Sequence, residues 1–295
     1  MIIYPWLFSP LPFRSLHVKH RKLLEQIEHR CELINLLERH RPKEKKDIYS
    51  TQIQFISSCL RLSGFHYEIR DIKTLYRQSI IKKKTLLRKL RTPFYLCRAY
   101  NECFSLIFRA TKFSDWENDI RRLDQIIIGK VAKCYPLKAK LRKTHHWFGA
   151  QAAVQPIYCH QLLETLYQHI FWHKDMPGSL MANKILLALL AHIIFLLILP
   201  FEDGNKRLAN LLLYSILRTG GMSDSFAIVA VTFFADKSSL YYGQIPNIIR
   251  SEGDYSEFIE FALTGILSYA NQALLQSGTR HLCSCREIDF PVITC

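Results

Sequence analysis

The chain has 295 residues, 49% of them hydrophobic and 22% charged, which is enough apolar material for a sizeable core and excludes a low-complexity or collagen-like polymer. Its formal net charge of +15 is unevenly placed, with 31 basic residues against 13 acidic ones up to Lys143 and 9 against 12 beyond it. A basic first half can attract nucleic acid, an anionic membrane surface or an acidic protein, while a plain solvated helical face accounts for it equally well.

Residues 1–8 are apolar but lack the basic leader and small-residue cleavage site of a signal peptide, so they are expected to belong to the fold. Over residues 17–39, Leu24, Ile27, Cys31 and Ile34 recur at three- and four-residue spacing, which predicts an amphipathic helix. A charged connector at 41–46 leads to a second helix over 48–61, stopped near Ser63-Gly64, and a third begins about Tyr67. Lys82, Lys83, Lys84, Arg88, Lys89 and Arg91 lie on a further helix that Pro93 should end or interrupt. That basic cluster reads first as a solvated face, with nucleic-acid contact the sharper alternative, and no helix-turn-helix or zinc finger accompanies it.

The run 185–200 is apolar on all sides, contains His192 and leads directly into Glu202 and Asp203. It is shorter than the roughly 20 residues of a membrane span, so it reads as the central helix of a globular bundle, with no transmembrane span expected. A new helix over 208–219 closes at Gly220-Gly221. Helical spacing prevails over alternation throughout, and the expected fold class is all-α. Nine cysteines, an odd number, follow no disulfide or zinc spacing, the Cys283-Ser284-Cys285 pair included, and no Asn-X-Ser/Thr acceptor occurs. Reduced thiols in a cytoplasmic or other reducing compartment fit best.

The strongest local signal joins the buried helix to the next one: Leu199-Pro200-Phe201-Glu202-Asp203-Gly204-Asn205-Lys206-Arg207. Pro200 disfavours helix at Leu199, and Gly204 permits a tight turn. The turn delivers backbone N–H groups to a helix start, where unsatisfied donors and a partial positive charge suit a phosphate, and Lys206 and Arg207 add full charges. Asp203 is a hard oxygen ligand beside that anion hole, of the kind that shares a magnesium ion with substrate phosphates. The loop is neither a Walker A nor a GxGxxG sequence, so the common nucleotide folds are not indicated.

At these residues the chain resembles the Fic (Fido) family, whose motif is HxFx[DE]GN[GK]R; the eight positions from Pro200 to Arg207 are compatible with it. Leu141-Arg142-Lys143-Thr144-His145-His146-Trp147-Phe148-Gly149 is similar to the segment preceding the family's target-binding flap. Residues 236–242 and 253–261 resemble the helices that close its nucleotide pocket. The resemblance implies a Fic-fold helical bundle over residues 120–270, preceded by a basic helical N-terminal region at 1–119 and followed by a tail at 271–295. It further implies that Asp203 holds magnesium, that Gly204, Asn205 and Lys206 line a phosphate site for ATP or another nucleotide, and that Arg207 pairs with a phosphate oxygen. By the same resemblance Phe201, beside Pro200, anchors the loop in the core, and Tyr241 or Tyr242 approaches the base.

The chain departs from the family pattern at the position of its general base, the histidine that takes a proton from a target Ser, Thr or Tyr hydroxyl: here it is Leu199. Leucine accepts no proton, and a positioned general base is typically worth about 10² to 10⁴ in rate. His192 is two helical turns away, which leaves His145 and His146 near the flap as substitutes. Where regulated members carry an inhibitory glutamate and its arginine partner, this chain has Ser63, followed by Gly64, and Asn210. Lys206 replaces the commoner glycine, and in the family lysine there also occurs in the phosphoryl-transferring toxin branch. The leading expectation is a pseudoenzyme or interaction protein that binds magnesium–ATP and an unidentified target protein. The alternatives are an active transferase with an unusual base, and a nucleic-acid-binding regulator acting through the basic N-terminal half.

Overall fold

A computed structural model describes residues 4–40, 45–81, 91–129, 140–148, 151–174 and 181–284. The described chain is helical almost throughout, in agreement with the all-α expectation. A short 3-10 turn at Pro5–Phe8 precedes α1 (Phe13–Lys19), α2 (Arg21–His40), α3 (Lys45–Leu62) and α4 (Ile69–Ile81). Helices α5 (Arg91–Arg109) and α6 (Phe113–Ile127) follow, then a two-stranded hairpin of β1 (Trp147–Phe148) and β2 (Gln151–Ala152). The second half comprises α7 (Cys159–Lys174), α8 (Met181–Ile198), α9 (Asn205–Thr219), α10 (Asp224–Asp236), α11 (Ser238–Arg250) and α12 (Ser256–Ser284).

Helix α8 is the axis of the bundle. Every residue from Lys184 to Ile198 is buried, because a helix apolar on all sides must be covered on all sides. Among the described residues it is the one helix long and apolar enough to cross a membrane, and 89% of it is covered by the rest of the protein. Helices α9 and α7 pack directly on it, α3 lies on α10, and α2 lies on α12. Asn35 of α2 ties the α9–α10 turn down, donating to the Gly221 carbonyl at 3.1 Å and accepting from the Ser223 N–H at 2.7 Å.

Two sequence expectations need correction. The predicted helix over 17–39 is two helices, broken at His20 between α1 and α2. Pro93 does not end a helix; it is the third residue of α5, in the first turn, where its missing N–H has no intrahelical acceptor to lose. The basic cluster from Lys82 to Lys89 lies outside the described residues, as does Cys285.

In the hairpin, Trp147 pairs with Ala152 and Phe148 with Gln151. The Ala153 N–H donates to the His146 carbonyl at 2.8 Å, which makes 146–153 the hydrogen-bonded pair and turns the backbone groups of Trp147 and Ala152 outward. The outward Ala152 carbonyl accepts the Tyr4 hydroxyl at 2.6 Å, so the N-terminal segment fastens β2 from outside.

Candidate functional site

The loop between α8 and α9 is built from its own side chains. Gly204, at φ 85°, makes the left-handed turn that opens α9. A Cβ there would lie 2.8 Å from Asp124 Oδ1, so close approach as well as backbone conformation demands glycine. Asn205 closes the loop reciprocally: its amide donates to the Phe201 carbonyl at 2.6 Å and its Oδ1 accepts the Phe201 N–H at 3.0 Å. Phe201 itself is fully buried. The first N–H of α9 to bond back is that of Leu208, to the Gly204 carbonyl at 2.9 Å, which leaves the N–H groups of the preceding turn at the helix start for another acceptor.

This helix start opens on a cavity of about 610 Å³. Its floor is the loop from Glu202 to Arg207, and its walls are the hairpin residues His146 to Phe148, the α3 terminus at Ser63 and Phe65, and Tyr242 with Ile245 on α11. Arg207 is almost fully buried; its guanidinium donates to Asp203 Oδ1 at 3.0 Å and to the Ile127 carbonyl at 3.3 Å. Asp203 is 75% exposed, so this pair tethers a solvent-facing carboxylate at the cavity edge. Lys206 extends over the opposite wall, its ammonium 4.4 Å from the centre of the Tyr242 ring, and burial of that ammonium lowers its pKa although the residue as a whole is exposed.

Of the residues singled out in the sequence, Ser63, Leu199, Asp203, Gly204, Asn205, Lys206, Arg207 and Tyr242 share this one cavity. Tyr241 does not. It is fully buried, and its hydroxyl donates to His192 Nε2 at 2.7 Å, since His192 Nδ1 must spend its hydrogen on the Ala209 carbonyl at 3.0 Å. Asn210 is also fully buried and does not line the cavity, and neither polar atom of its side chain finds a partner among the described residues. The serine faces the cavity with its hydroxyl turned back to the Cys59 carbonyl at 2.8 Å.

Three further features carry the geometry. Gly64, at φ 85°, ends α3 in a Schellman motif, with Gly64 N–H on the Arg61 carbonyl at 3.0 Å and Phe65 N–H on the Leu60 carbonyl at 2.9 Å. This reversal lays the Phe65 ring over the Arg207 guanidinium at 5.6 Å. Glu202 fastens the loop to the base of the hairpin, accepting from the Lys143 N–H at 2.9 Å, the Thr144 N–H at 3.3 Å and the Thr144 hydroxyl at 2.5 Å. The bonds from Thr144 and Lys143 pull its carboxyl down to about 2. His146 Nε2 stands 3.3 Å from the same carboxylate. Third, Arg142 is buried against main-chain carbonyls at the end of α8. The Gly that stops α3 advertises Phe65 in the sequence; nothing local advertises the Glu202 contacts or the bonds from Arg142 to the end of α8, which span 56 to 59 residues.

No group of three or more His, Cys, Asp or Glu side chains gathers among the described residues. A magnesium ion that takes most of its ligands from phosphate and water needs no such group, and the chemistry of Asp203, an exposed carboxylate beside a helix start, fits one. Comparison with known proteins bears on the fold at this point. No family model matches the chain. It is 26% identical over 168 residues to protein adenylyltransferase fic-1 of Caenorhabditis elegans, which covers 56% of this chain and 32% of that protein. A Fic family protein from Desulfovibrio desulfuricans superposes with a TM-score of 0.61 at 17% identity, over 91% of this chain and 76% of that one. The solved C. elegans Fic-1 fragment gives 0.62 at 16% identity, over 90% and 75%. The chain has the fold of the Fic family proteins. It spans about a third of the length of the curated relative it matches. Within this fold the cavity described above lies at the loop that carries the motif-like sequence.

Proposed function

We propose that this Fic-domain protein binds a nucleoside triphosphate, ATP in the first instance, with its phosphates on the N-terminus of α9. The observation that carries this reading is the convergence of a glycine-turned helix start, the Arg207–Asp203 pair and the Lys206 ammonium on one cavity. The similarity to an adenylyltransferase supports it. Asp203 would hold the magnesium ion that neutralises phosphate charge, Arg207 would pair with a phosphate oxygen, and the main-chain N–H groups of Asn205 and Lys206 would complete the cradle. The apolar wall of Leu199, Leu196 and Ile245 and the Tyr242 ring suit a flat base.

With leucine at position 199 the family's own base is missing, so on this residue alone the protein is a pseudoenzyme that uses nucleotide binding to engage a protein target. A second reading, a transferase acting on protein hydroxyls, is favoured by one observation: His146 lines the same cavity. Titration calorimetry with magnesium–ATP tests what both share. Binding is expected, and Asp203→Ala should weaken it about tenfold, the worth of one charge-assisted contact. Absence of binding at millimolar ATP would remove the reading.

A further inference from the structure

The cavity offers several groups that could take a proton, and its geometry disposes of all but one. The Ser63 and Tyr242 hydroxyls are spent on the Cys59 and Leu62 carbonyls. Asp203 is paired with Arg207, and the Lys206 nitrogen is turned onto the face of the Tyr242 ring. Glu202 accepts three donors from Lys143 and Thr144, and His146 occupies its fourth acceptor site. His146 is the one histidine among the lining residues; its side chain is 23% exposed, and the neighbouring His145 faces solvent outside the cavity.

The contact with Glu202 fixes what His146 can do. An ionised carboxylate accepts and never donates, so the imidazole nitrogen facing it, Nε2, carries a hydrogen. In the neutral ring Nδ1 is then the bare, basic nitrogen, and it has no hydrogen-bond partner among the described residues. A carboxylate that orients an imidazole and steadies its protonated form is the arrangement in which histidine serves as a general base. Both members are held rigidly: Glu202 by the hairpin base, and the His146 main chain by the bond from Ala153.

We propose that His146, oriented by Glu202, is the proton acceptor of this pocket and fills the role that Leu199 cannot; this rests on the nucleotide-binding reading above. The acceptor hydroxyl loses its proton to His146 Nδ1 as its oxygen forms a bond to a phosphorus of the nucleotide. The bond from that phosphorus to its leaving oxygen breaks, and the electron pair departs with the leaving group, pyrophosphate for attack at the α-phosphorus or the nucleoside diphosphate for attack at the γ-phosphorus. Glu202 is a positioning residue in this scheme, acting only through the imidazole.

The test uses the whole chain, ATP labelled in the α- or the γ-phosphate, and the protein itself together with a cell lysate as acceptors. Calorimetry is run on the same preparations, so that failure to bind ATP, which sinks the underlying reading, is told apart from failure to transfer. Wild type should transfer label. His146→Gln should cut the rate at least 100-fold with ATP affinity unchanged within threefold, and His145→Gln should leave it intact. A readout independent of turnover is long-range proton–nitrogen NMR of the histidine rings without nucleotide. His146 should carry its hydrogen on Nε2 in wild type and lose that preference in Glu202→Gln, which should also slow transfer about tenfold. The proposal is overturned by ATP binding without transfer from either phosphate, by a His146→Gln protein that transfers normally, or by a wild-type His146 that carries its hydrogen on Nδ1.

Discussion

Arg142 Nε lies 2.6 Å from the carbonyl of Leu199, and this contact fixes the backbone of the residue that ends the central helix at the mouth of the loop. The same guanidinium reaches the carbonyls of Ile198 at 3.3 Å, Thr144 at 2.7 Å and Val154. One cation thus satisfies the terminal carbonyls of the central helix α8 and ties them to both sides of the hairpin. Leu199 sits at φ 46°, a left-handed conformation that a branched-chain residue adopts only when its surroundings impose it. The loop therefore keeps its shape through main-chain contacts, whatever side chain stands at 199.

Arg142→Ala should accordingly be among the costliest single substitutions in the chain. It would strand several buried carbonyls, each unpaired group costing about 1–3 kcal/mol, so a loss of at least about 3 kcal/mol is expected. Arg142→Lys should recover only part of that, because an ammonium cannot reproduce the planar fork. Chemical denaturation of the three proteins checks the order wild type, lysine, alanine. An alanine variant within about 1 kcal/mol of wild type would show that water replaces the guanidinium without penalty.

Glu202 makes the hairpin attachment pH-sensitive in a stated direction. Its folded-state pKa, near 2, lies below that of an exposed glutamate, so its stabilising contribution is complete above the ordinary carboxylate range and is lost as pH falls from about 4.5 towards 2. Amide exchange at Lys143 and Thr144 should stay slow at pH 5 and accelerate over that interval. In Glu202→Gln the acceleration between pH 4.5 and 2 should be absent. A wild type and a glutamine variant with the same acid profile would refute the attachment.

His192 predicts a second, higher window. Complete burial lowers its pKa to about 4, with the Ala209 carbonyl opposing the shift, so the native state keeps the ring neutral while the unfolded chain protonates it from pH 6.5 downwards. Stability should fall between pH 6.5 and 4 by an amount on the order of 3 kcal/mol from this group. Urea unfolding at pH 7, 6 and 5 measures it. The slope should shrink in His192→Gln, which cannot titrate, and an unchanged slope would assign the pH dependence elsewhere.

The legibility of this chain in its sequence divides along contact range. The unbroken apolar run that became α8, the Pro200–Gly204 turn and the Gly64 stop are governed by residues a few positions apart, and each stands where periodicity and turn chemistry put it. The break at His20 was not visible, because the apolar stripe continues across it through Leu16 and Leu24 while only the backbone changes course. Tyr241 and Tyr242 were indistinguishable as neighbours; adjacent helical residues point about 100° apart, and only the position of α8 decided which faces the cavity. The Glu202–Thr144 and Glu202–His146 contacts required the hairpin to be placed first.

The substitution that tests most of this at once is Leu199→His. Leu199 lies among buried residues, 8% exposed, yet lines the cavity. Histidine tolerates a positive φ better than leucine, and Arg142 holds the carbonyl independently of the side chain. The folding cost should therefore stay near 1 kcal/mol, the lost burial being partly offset by relief of strain. An imidazole at 199 titrates near neutral pH and stands at the motif's own base position, directly ahead of the phosphate cradle. Labelling with ATP should rise above wild type, and it should survive His146→Gln in the same chain, since the second imidazole makes the first dispensable. It should vanish when Asp203→Ala is added. A folded Leu199→His protein that binds magnesium–ATP and labels nothing would mean that proton acceptance is not what limits this pocket. The crowding of Lys206 against Tyr242 at the phosphate end would then be the constraint to relieve, by Lys206→Gly.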